Sequence, residues 1–156
     1  MTLTTRPVAT DDLELICEQR ERIFRESNTP GRTEEILSTQ TAHFRSWLTP
    51  RLHDGSYFGY FVEEAGKPVA GIGLMLIDWP PSPSHPISDK RGYVLNVFVE
   101  PSHRRQGLAA KLMALADRDF AARGVNYAVL HSTRMGRPLY EKIGWTATNE
   151  MAKLYR

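Results

Sequence analysis

The segment with the clearest chemical potential is Arg104 to Ala109, which reads RRQGLA. Its two arginines supply positive charge, and Gly107 has no Cβ, so the backbone there can turn with a positive φ or approach a bulky anion. If a helix begins at this point, its first backbone N–H groups lack intrahelical partners and lie at the positive end of the helix dipole. The segment suits phosphate binding, but a solvated loop before a surface helix explains the same residues equally well.

The flanking residues predict a strand, a short loop and a helix. Val94 to Val99 (VLNVFV) is rich in strand-forming residues and is followed by Pro101, which predicts a largely buried strand that stops there. From Gly107 the apolar residues recur at helical spacing up to Gly124, at Leu108, Leu112, Leu115, Ala116 and Phe120. The phosphate-binding candidate therefore lies at the start of an amphipathic helix.

Two common phosphate-binding motifs do not fit the chain. A P-loop requires G-x-x-x-x-G-K-[ST], and no such run occurs. A dinucleotide-binding turn requires G-x-G-x-x-G before a helix, whereas GIGLML at Gly71 to Leu76 continues as an apolar strand. A phosphate-binding domain of another kind stays open on these residues, but it leaves the segment PLYEKIGW, from Pro138 to Trp145, without an explanation.

These motifs resemble the GCN5-related N-acetyltransferase (GNAT) family. RRQGLA after a strand ending in V-x-P is similar to the family's motif A, [R/Q]-x-x-G-x-[G/A], and PLYEKIGW is similar to motif B, L-Y-x-x-x-G-[FW]. The opening TTRPVATDDLELI is also similar to the start of many members, so the resemblance covers nearly the whole chain. It implies that acetyl-CoA is the cosubstrate, that the motif A loop holds its pyrophosphate, and that a central strand pairs with its pantetheine arm. The implied contacts are Val97, Phe98, Val99, Arg104, Arg105, Gln106, Gly107, Leu108 and Ala109.

Acyl transfer from a thioester requires a donor to the oxyanion, a neutral attacking amine and a protonated leaving thiol. The resemblance implies that the Val97 N–H is the oxyanion donor and that Tyr140 is the general acid toward the CoA sulfur. A phenol is protonated at neutral pH and can donate. Both residues are also explained as core packing. Where relatives have a pantetheine-binding Asn, seven residues before the Tyr, this chain has Thr133, which we assign to the same contact.

The general base is not fixed by the resemblance. Relatives place a Glu or His on the central strand at positions that match Tyr93 and Leu95, and this chain has neither residue type there. His131, at the end of the following strand, is our candidate because an imidazole accepts protons near neutral pH, directly or through water. A histidine satisfied by a backbone carbonyl explains it as well. Glu100 and Asn96 are weaker candidates.

The order of predicted elements indicates an α+β fold. It reads β-α-α-β-β-β-α-β-α-β-β, with the last two strands in WTATNEMAKLY and a Pro-rich loop from Trp79 to Asp89. We expect an α/β sandwich, with a mixed central sheet and helices on both faces. The length of 156 residues and the 41% hydrophobic content predict a single domain, residues 1–156.

The composition of the chain limits the kinds of partner that it is expected to bind. A net charge of +2, with acidic residues interspersed among the basic ones, does not indicate a nucleic-acid-binding surface. No run of apolar residues is long enough to span a membrane. The single Cys17 excludes an intrachain disulfide and is better explained as a packed residue than as a nucleophile. The N-terminus lacks an apolar export signal, so we expect a cytoplasmic protein. We expect no metal cofactor, and a homodimer stays open.

The acceptor is the least determined feature. In the family it binds between the first two helices and variable loops, here Glu18 to Trp47 and Trp79 to Asp89. Acidic residues in these regions suit a cationic amine, but surface solvation explains them as well; they are Glu18, Glu21, Glu26, Glu34, Glu35 and Asp78. Trp47 and Trp79 are suited to line a pocket for an apolar or aromatic acceptor, but packing in the core explains them as well. We predict an N-acetyltransferase that acts by direct transfer in a ternary complex; the alternative is a non-catalytic acyl-CoA-binding sensor or interaction module.

Overall fold

Five strands form one mixed sheet in the computed structural model, which describes residues 2–155. The strands are β1 (Leu3–Pro7), β2 (Phe58–Glu64), β3 (Lys67–Asp78), β4 (Lys90–Val99) and β5 (Ala128–Leu130). The helices are α1 (Leu13–Ser27), α2 (Glu34–Asp54), α3 (Leu108–Ala122) and α4 (Arg137–Lys142). None of the helices described is both long and apolar enough to cross a membrane.

The strands lie in chain order across the sheet. β1 to β4 are antiparallel neighbours, and β4 pairs with β5 in parallel. A hairpin joins β2 and β3, and its residues Ala65 and Gly66 both have positive φ, as a tight two-residue turn requires. The residues Ala65-Gly66-Lys67 between two strand-like runs predict such a hairpin from the sequence alone. The crossover from β4 to β5 through α3 supplies the one parallel pair.

Helices cover both faces of the sheet, as predicted. On β2 the neighbouring side chains of Phe61 and Val62 point to opposite faces and belong to different buried clusters. The Phe61 cluster includes Ile16 of α1 and Phe44 of α2, whereas the Val62 cluster includes Leu112 of α3. α1 and α2 therefore pack on one face of the sheet, and α3 packs on the other.

The two predicted C-terminal strands do not form in the described part of the chain. Residues 146–155 carry no strand and are exposed, and β5 has three half-buried residues instead of the longer buried strand expected. The prediction rested on the β-branched and aromatic residues of WTATNEMAKLY, but Asn, Glu, Ala and Lys between them are weak strand formers. Without a buried face, the segment gains little from pairing with so short a neighbour.

β4 contains a bulge in its second half. Leu95 pairs with Gly73 and Phe98 pairs with Gly71, so β4 uses one more residue than β3 over this stretch. The extra residue is Asn96, whose φ of 55° lies in the left-handed region that Asn tolerates better than most residues. Its side chain is held by two hydrogen bonds, which run from Asn96 Nδ2 to Tyr57 Oη (2.9 Å) and from Arg20 Nη1 to Asn96 Oδ1 (2.8 Å).

Close packing around Gly73 supports this bulge. A Cβ on Gly73 would lie 2.0 Å from the hydroxyl of buried Tyr57, the group to which Asn96 donates. We expect Gly73→Ala to displace the phenol and to lower the free energy of unfolding by about 1–3 kcal/mol, the usual cost of overpacking a core. Chemical denaturation measures this loss, and an unchanged stability would contradict the packing described.

Candidate active site

The second half of β4 has one free edge. The amide of Glu100 donates to Val69 O of β3 at 2.8 Å, and amide directions alternate along a strand, so the N–H group of Val99 points away from β3. β5 pairs with β4 only from Gly92 to Val94. Within residues 2–155, no strand therefore pairs with Val97 to Val99 on that side.

The loop after this edge presents backbone amides. Arg105 and Gly107 have positive φ values of 63° and 79°, and Gly107 is the residue that precedes α3. A Cβ on Gly107 would have no atom within 4 Å, so the space above the loop is open. Of the two uses considered for Gly107, the turn with positive φ is present. The first amides of α3, from Leu108 and Ala109, have no carbonyl of an earlier helical turn to bond.

The two arginines of the loop are placed differently. Arg104 donates from Nε to Val99 O (3.0 Å) and from Nη2 to Glu26 Oε2 of α1 (2.6 Å), so in this conformation it braces the end of β4. Arg105 and Gln106 are exposed and make no side-chain hydrogen bond among the residues described. Arg105 is thus the cation of this loop that can turn toward an anion without breaking an existing contact.

Tyr140 lies on α4 and packs toward the α3 face of the sheet. Its ring contacts Trp145 edge-on, with ring centroids 6.4 Å apart. Burial raises the pKa of the Tyr140 phenol, so the group stays protonated at neutral pH. Thr133 lies nearby, since a Cβ on Gly136 would be 3.1 Å from the Tyr140 ring and 3.2 Å from Thr133 Oγ1. That hydroxyl accepts a hydrogen bond from the Gly136 amide at 3.1 Å.

His131 pairs with a residue of the neighbouring strand. Its Nδ1 shares a hydrogen bond with the hydroxyl of Tyr93, and its Nε2 lies 3.6 Å from a carboxylate oxygen of Glu150. Tyr93 occupies one of the two β4 positions where an acid or imidazole was sought in the sequence. The structure brings the imidazole of His131 to the phenol at that position, across the junction of β4 and β5.

The weaker base candidates are engaged elsewhere. Glu100 accepts a two-pronged contact from Arg22, at 2.7 and 2.9 Å, and that guanidinium holds the pKa of the carboxyl below its usual range. Asn96 is fixed in the bulge by Tyr57 and Arg20. Both residues support the architecture of the site, and neither is suited to accept a proton near neutral pH.

A pocket of about 400 Å³ opens on the α1 and α2 face, beside the bulge. Side chains from two helices and two strands line it, namely Arg20, Gln40, His43, Phe44, Trp47, Met75 and Leu95. Met75 is the β3 partner of Tyr93 in the strand register, so one residue of the pocket wall lies beside the strand position of the tyrosine that contacts His131. The first two helices, which we expected to line the acceptor pocket, supply most of this wall, and Trp47 is part of it.

The other acceptor features predicted from the sequence lie outside this pocket. No residue of the loop from Trp79 to Asp89 lines it, and the Trp79 ring instead packs against the guanidinium of Arg91. The acidic residues considered for a cationic amine are absent from its wall as well. Four of them are engaged with other side chains, in the pairs Glu21–Thr41, Glu26–Arg104, Glu34–Arg25 and Asp78–Lys90.

Sequence reasoning missed two features of the site. The pairing of Tyr93 with His131 joins residues 38 positions apart, and no local pattern encodes it. Arg20 was not among the candidates considered from the sequence, although it lines the pocket. The bulge had a usable signal, because Asn is uncommon inside a strand and tolerates the left-handed conformation.

Known proteins resemble this chain in sequence and in fold. The profile described as "Acetyltransferase (GNAT) family" matches residues 16–145. A GCN5-related N-acetyltransferase from Ralstonia eutropha is 54% identical, with a TM-score of 0.94 over 99% of both chains. A predicted acetyltransferase from Clostridium acetobutylicum, solved with acetyl-CoA, is 23% identical, with a TM-score of 0.83 over 99% of this chain and 96% of that chain.

More distant structures share the fold. Glucosamine-6-phosphate N-acetyltransferase from Arabidopsis thaliana is 18% identical, with a TM-score of 0.63 over 99% of both chains. No curated protein matches the chain at a significant level. The profile match covers well over half of the sequence, and the fold and motifs agree with it, so the chain belongs to the GNAT family of acetyltransferases.

Proposed function

We propose that the protein is an acetyl-CoA-dependent N-acetyltransferase that moves the acetyl group directly to an amine in a ternary complex. The observation that carries the proposal is the free edge of β4 at Val97 to Val99, which runs into the open amides at the start of α3. The pantetheine arm of acetyl-CoA is extended and contains amides, so it can pair with such an edge as an added strand does. The pyrophosphate of acetyl-CoA can bind the backbone amides at the start of α3.

In this proposal, acetyl-CoA supplies the activated thioester and the chain supplies its contacts. The backbone of Val97, Phe98 and Val99 binds the pantetheine arm, and Thr133 contacts it near Tyr140. The backbone from Arg104 to Ala109, with the side chain of Arg105, binds the pyrophosphate. Arg104 joins the phosphate contacts only if it leaves Glu26, and otherwise it positions the end of β4 through its bond to Val99 O.

The proposed reaction requires three groups of the protein. The Val97 N–H stabilises the charge that develops on the thioester oxygen as the nitrogen–carbon bond forms. Tyr140 donates its proton to the departing sulfur as the carbon–sulfur bond breaks. A base takes the proton that the amine loses, so the products are the acetylated amine and CoA thiol.

His131 is the proposed base, with Tyr93 as a relay. The pKa of the Tyr93 phenol is raised, chiefly by burial, so Tyr93 is protonated at neutral pH and does not act as a phenolate. It can accept a proton from the amine while passing its own proton to His131 Nδ1. The carboxylate of Glu150, 3.6 Å from Nε2, then faces the imidazolium that forms.

This role gives a pH prediction. Because neutral imidazole is the active form, kcat/KM should rise with pH as the imidazolium of His131 gives way to the neutral form. We expect His131→Gln to remove this rise and to lower kcat/KM by about 10²-fold or more, the effect of losing a general base. Tyr93→Phe should give a similar loss by interrupting the relay. Initial rates of thiol release over a pH series measure both effects.

His53→Gln is the matched control, because His53 lies exposed at the end of α2, outside the site described. It should keep the wild-type profile. If the rise persists in His131→Gln and follows the pKa of whichever amine is supplied, the enzyme uses no base of its own and His131 is a structural residue.

A further inference from the structure

Arg20 has no anionic partner among the residues that the structure describes. Seven other arginines pair with carboxylates within 4 Å, namely Arg6, Arg22, Arg25, Arg45, Arg104, Arg123 and Arg137. The further arginines of residues 2–155 without such a pair lie outside the pocket; they are Arg32, Arg51, Arg91, Arg105, Arg118 and Arg134. Arg20 instead donates to two neutral oxygens, Gln40 Oε1 at 2.9 Å and Asn96 Oδ1 at 2.8 Å. Its Nη2 group makes no hydrogen bond among residues 2–155.

The surroundings of Arg20 fix its guanidinium in place. The rings of Phe24 and Phe44 lie 4.8 and 4.5 Å from its central carbon, so the charge is held between aromatic faces. Burial is the main cause that lowers the pKa of Arg20, and no carboxylate is among the groups that oppose this effect. A partly desolvated cation without a counter-ion is unfavourable, and a bound anion would offset that cost.

The remaining walls of the pocket are mainly apolar. Phe44 and Trp47 stack with ring centroids 5.6 Å apart, and Met75 and Leu95 close the side formed by the sheet. A volume of about 400 Å³ suits a small molecule more than a folded protein surface. Among the described residues that line the pocket, His43 is the other titratable one and none is acidic.

We propose that the acceptor is a small amine that carries a carboxylate beside an apolar or aromatic group, and that Arg20 binds the carboxylate. This inference rests on the proposed transferase function and specifies its substrate class. Leu95 lies two residues before Val97 on β4, so a molecule anchored at Arg20 extends toward the proposed position of the thioester. A polycationic acceptor, such as an aminoglycoside, would place like charges beside Arg20, and we expect it to be a poor substrate.

The test compares carboxylates with matched neutral amines. Thiol release from acetyl-CoA is measured with aromatic and aliphatic amino acids, each beside its carboxamide, and with an aminoglycoside. We expect kcat/KM for the best amino acids to exceed that for their carboxamides by about 10- to 100-fold, the ratio expected for one charge-assisted contact. Arg20→Gln should abolish this preference, and Arg20→Lys should retain part of it.

Comparing wild type with Arg20→Gln on the same amine cancels the difference in basicity between an amino acid and its carboxamide. Melting temperature and CoA affinity of each variant show whether the fold and the CoA site are intact. If carboxamides and amino acids react equally well, or if Arg20→Gln leaves their ratio unchanged, the carboxylate proposal is wrong while the transferase function stands.

A binding measurement separates this proposal from the transferase function itself. Calorimetry of N-acetylphenylalanine and its carboxamide with the CoA-loaded protein needs no turnover. We expect the acid to bind more tightly, and Arg20→Gln to remove the difference. Equal binding, or no binding of the acid, would overturn the proposal, whereas a preserved preference without thiol release from any amine would leave the pocket assigned and refute catalysis.

Discussion

Tyr140→Phe is expected to reduce kcat by about 10²–10⁴-fold, the range for loss of a general acid, while CoA affinity and stability stay near those of the wild type. The substitution removes one oxygen and keeps the ring that packs against Trp145. The pKa of the phenol is raised by burial, which keeps the proton on the wild-type residue across the neutral range. The leaving sulfur would then depart without a donor in the variant.

Single-turnover measurements are the appropriate assay, because slow product release would hide a loss in the chemical step. Tyr155→Phe serves as a control, since Tyr155 is 79% exposed in the C-terminal segment. An unchanged single-turnover rate for Tyr140→Phe would assign Tyr140 to packing alone and leave the thiol without an identified acid.

Gly107→Glu is expected to abolish measurable CoA binding. The loop has open space above Gly107, where the pyrophosphate is proposed to bind, and a carboxylate there would add both bulk and like charge. Gly107 also has a φ of 79°, so any side chain at this position costs conformational strain of about 1–2 kcal/mol. The effects of the strain and of the charge on CoA binding must therefore be measured separately.

Gly107→Gln provides that separation, because it carries the same strain and almost the same bulk without the charge. In calorimetric titrations with CoA, we expect weakened binding for Gly107→Gln and no detectable binding for Gly107→Glu, with the two variants melting at similar temperatures. If Gly107→Glu binds CoA as the wild type does, the pyrophosphate does not bind at this loop.

Local patterns were sufficient to predict the central part of the fold. The strand-loop-helix unit around RRQGLA, the hairpin at Ala65 and Gly66, and the short helix at PLYEKIGW each depend on residues close in sequence. For this reason the positive φ at Gly107 and the start of α3 could be anticipated. The C-terminal strands could not be judged in this way, because a strand also needs a partner and a buried face.

Local sequence patterns could not predict most of the side-chain contacts between residues that are distant in the sequence. His131 was a candidate from its residue type, but its contact with Tyr93 depends on the parallel register of β4 and β5. The missing counter-ion of Arg20 becomes visible only when α1, α2 and β4 are assembled around it. The acidic residues of the helices suggested a cationic acceptor as one option, whereas the pocket wall, over the part of the chain that the structure describes, contains a cation and no acid.

The most direct test of the proposed function is to measure thiol release and acetylated amine together, with acetyl-CoA and the amine panel described above. We expect amine-dependent thiol release that is matched mole for mole by acetylated amine in mass spectrometry, with no acetyl group on the protein itself. Saturable CoA binding without amine-dependent thiol release from any member of the panel would contradict the proposed function, and would identify the protein as a non-catalytic acyl-CoA-binding module on the GNAT fold.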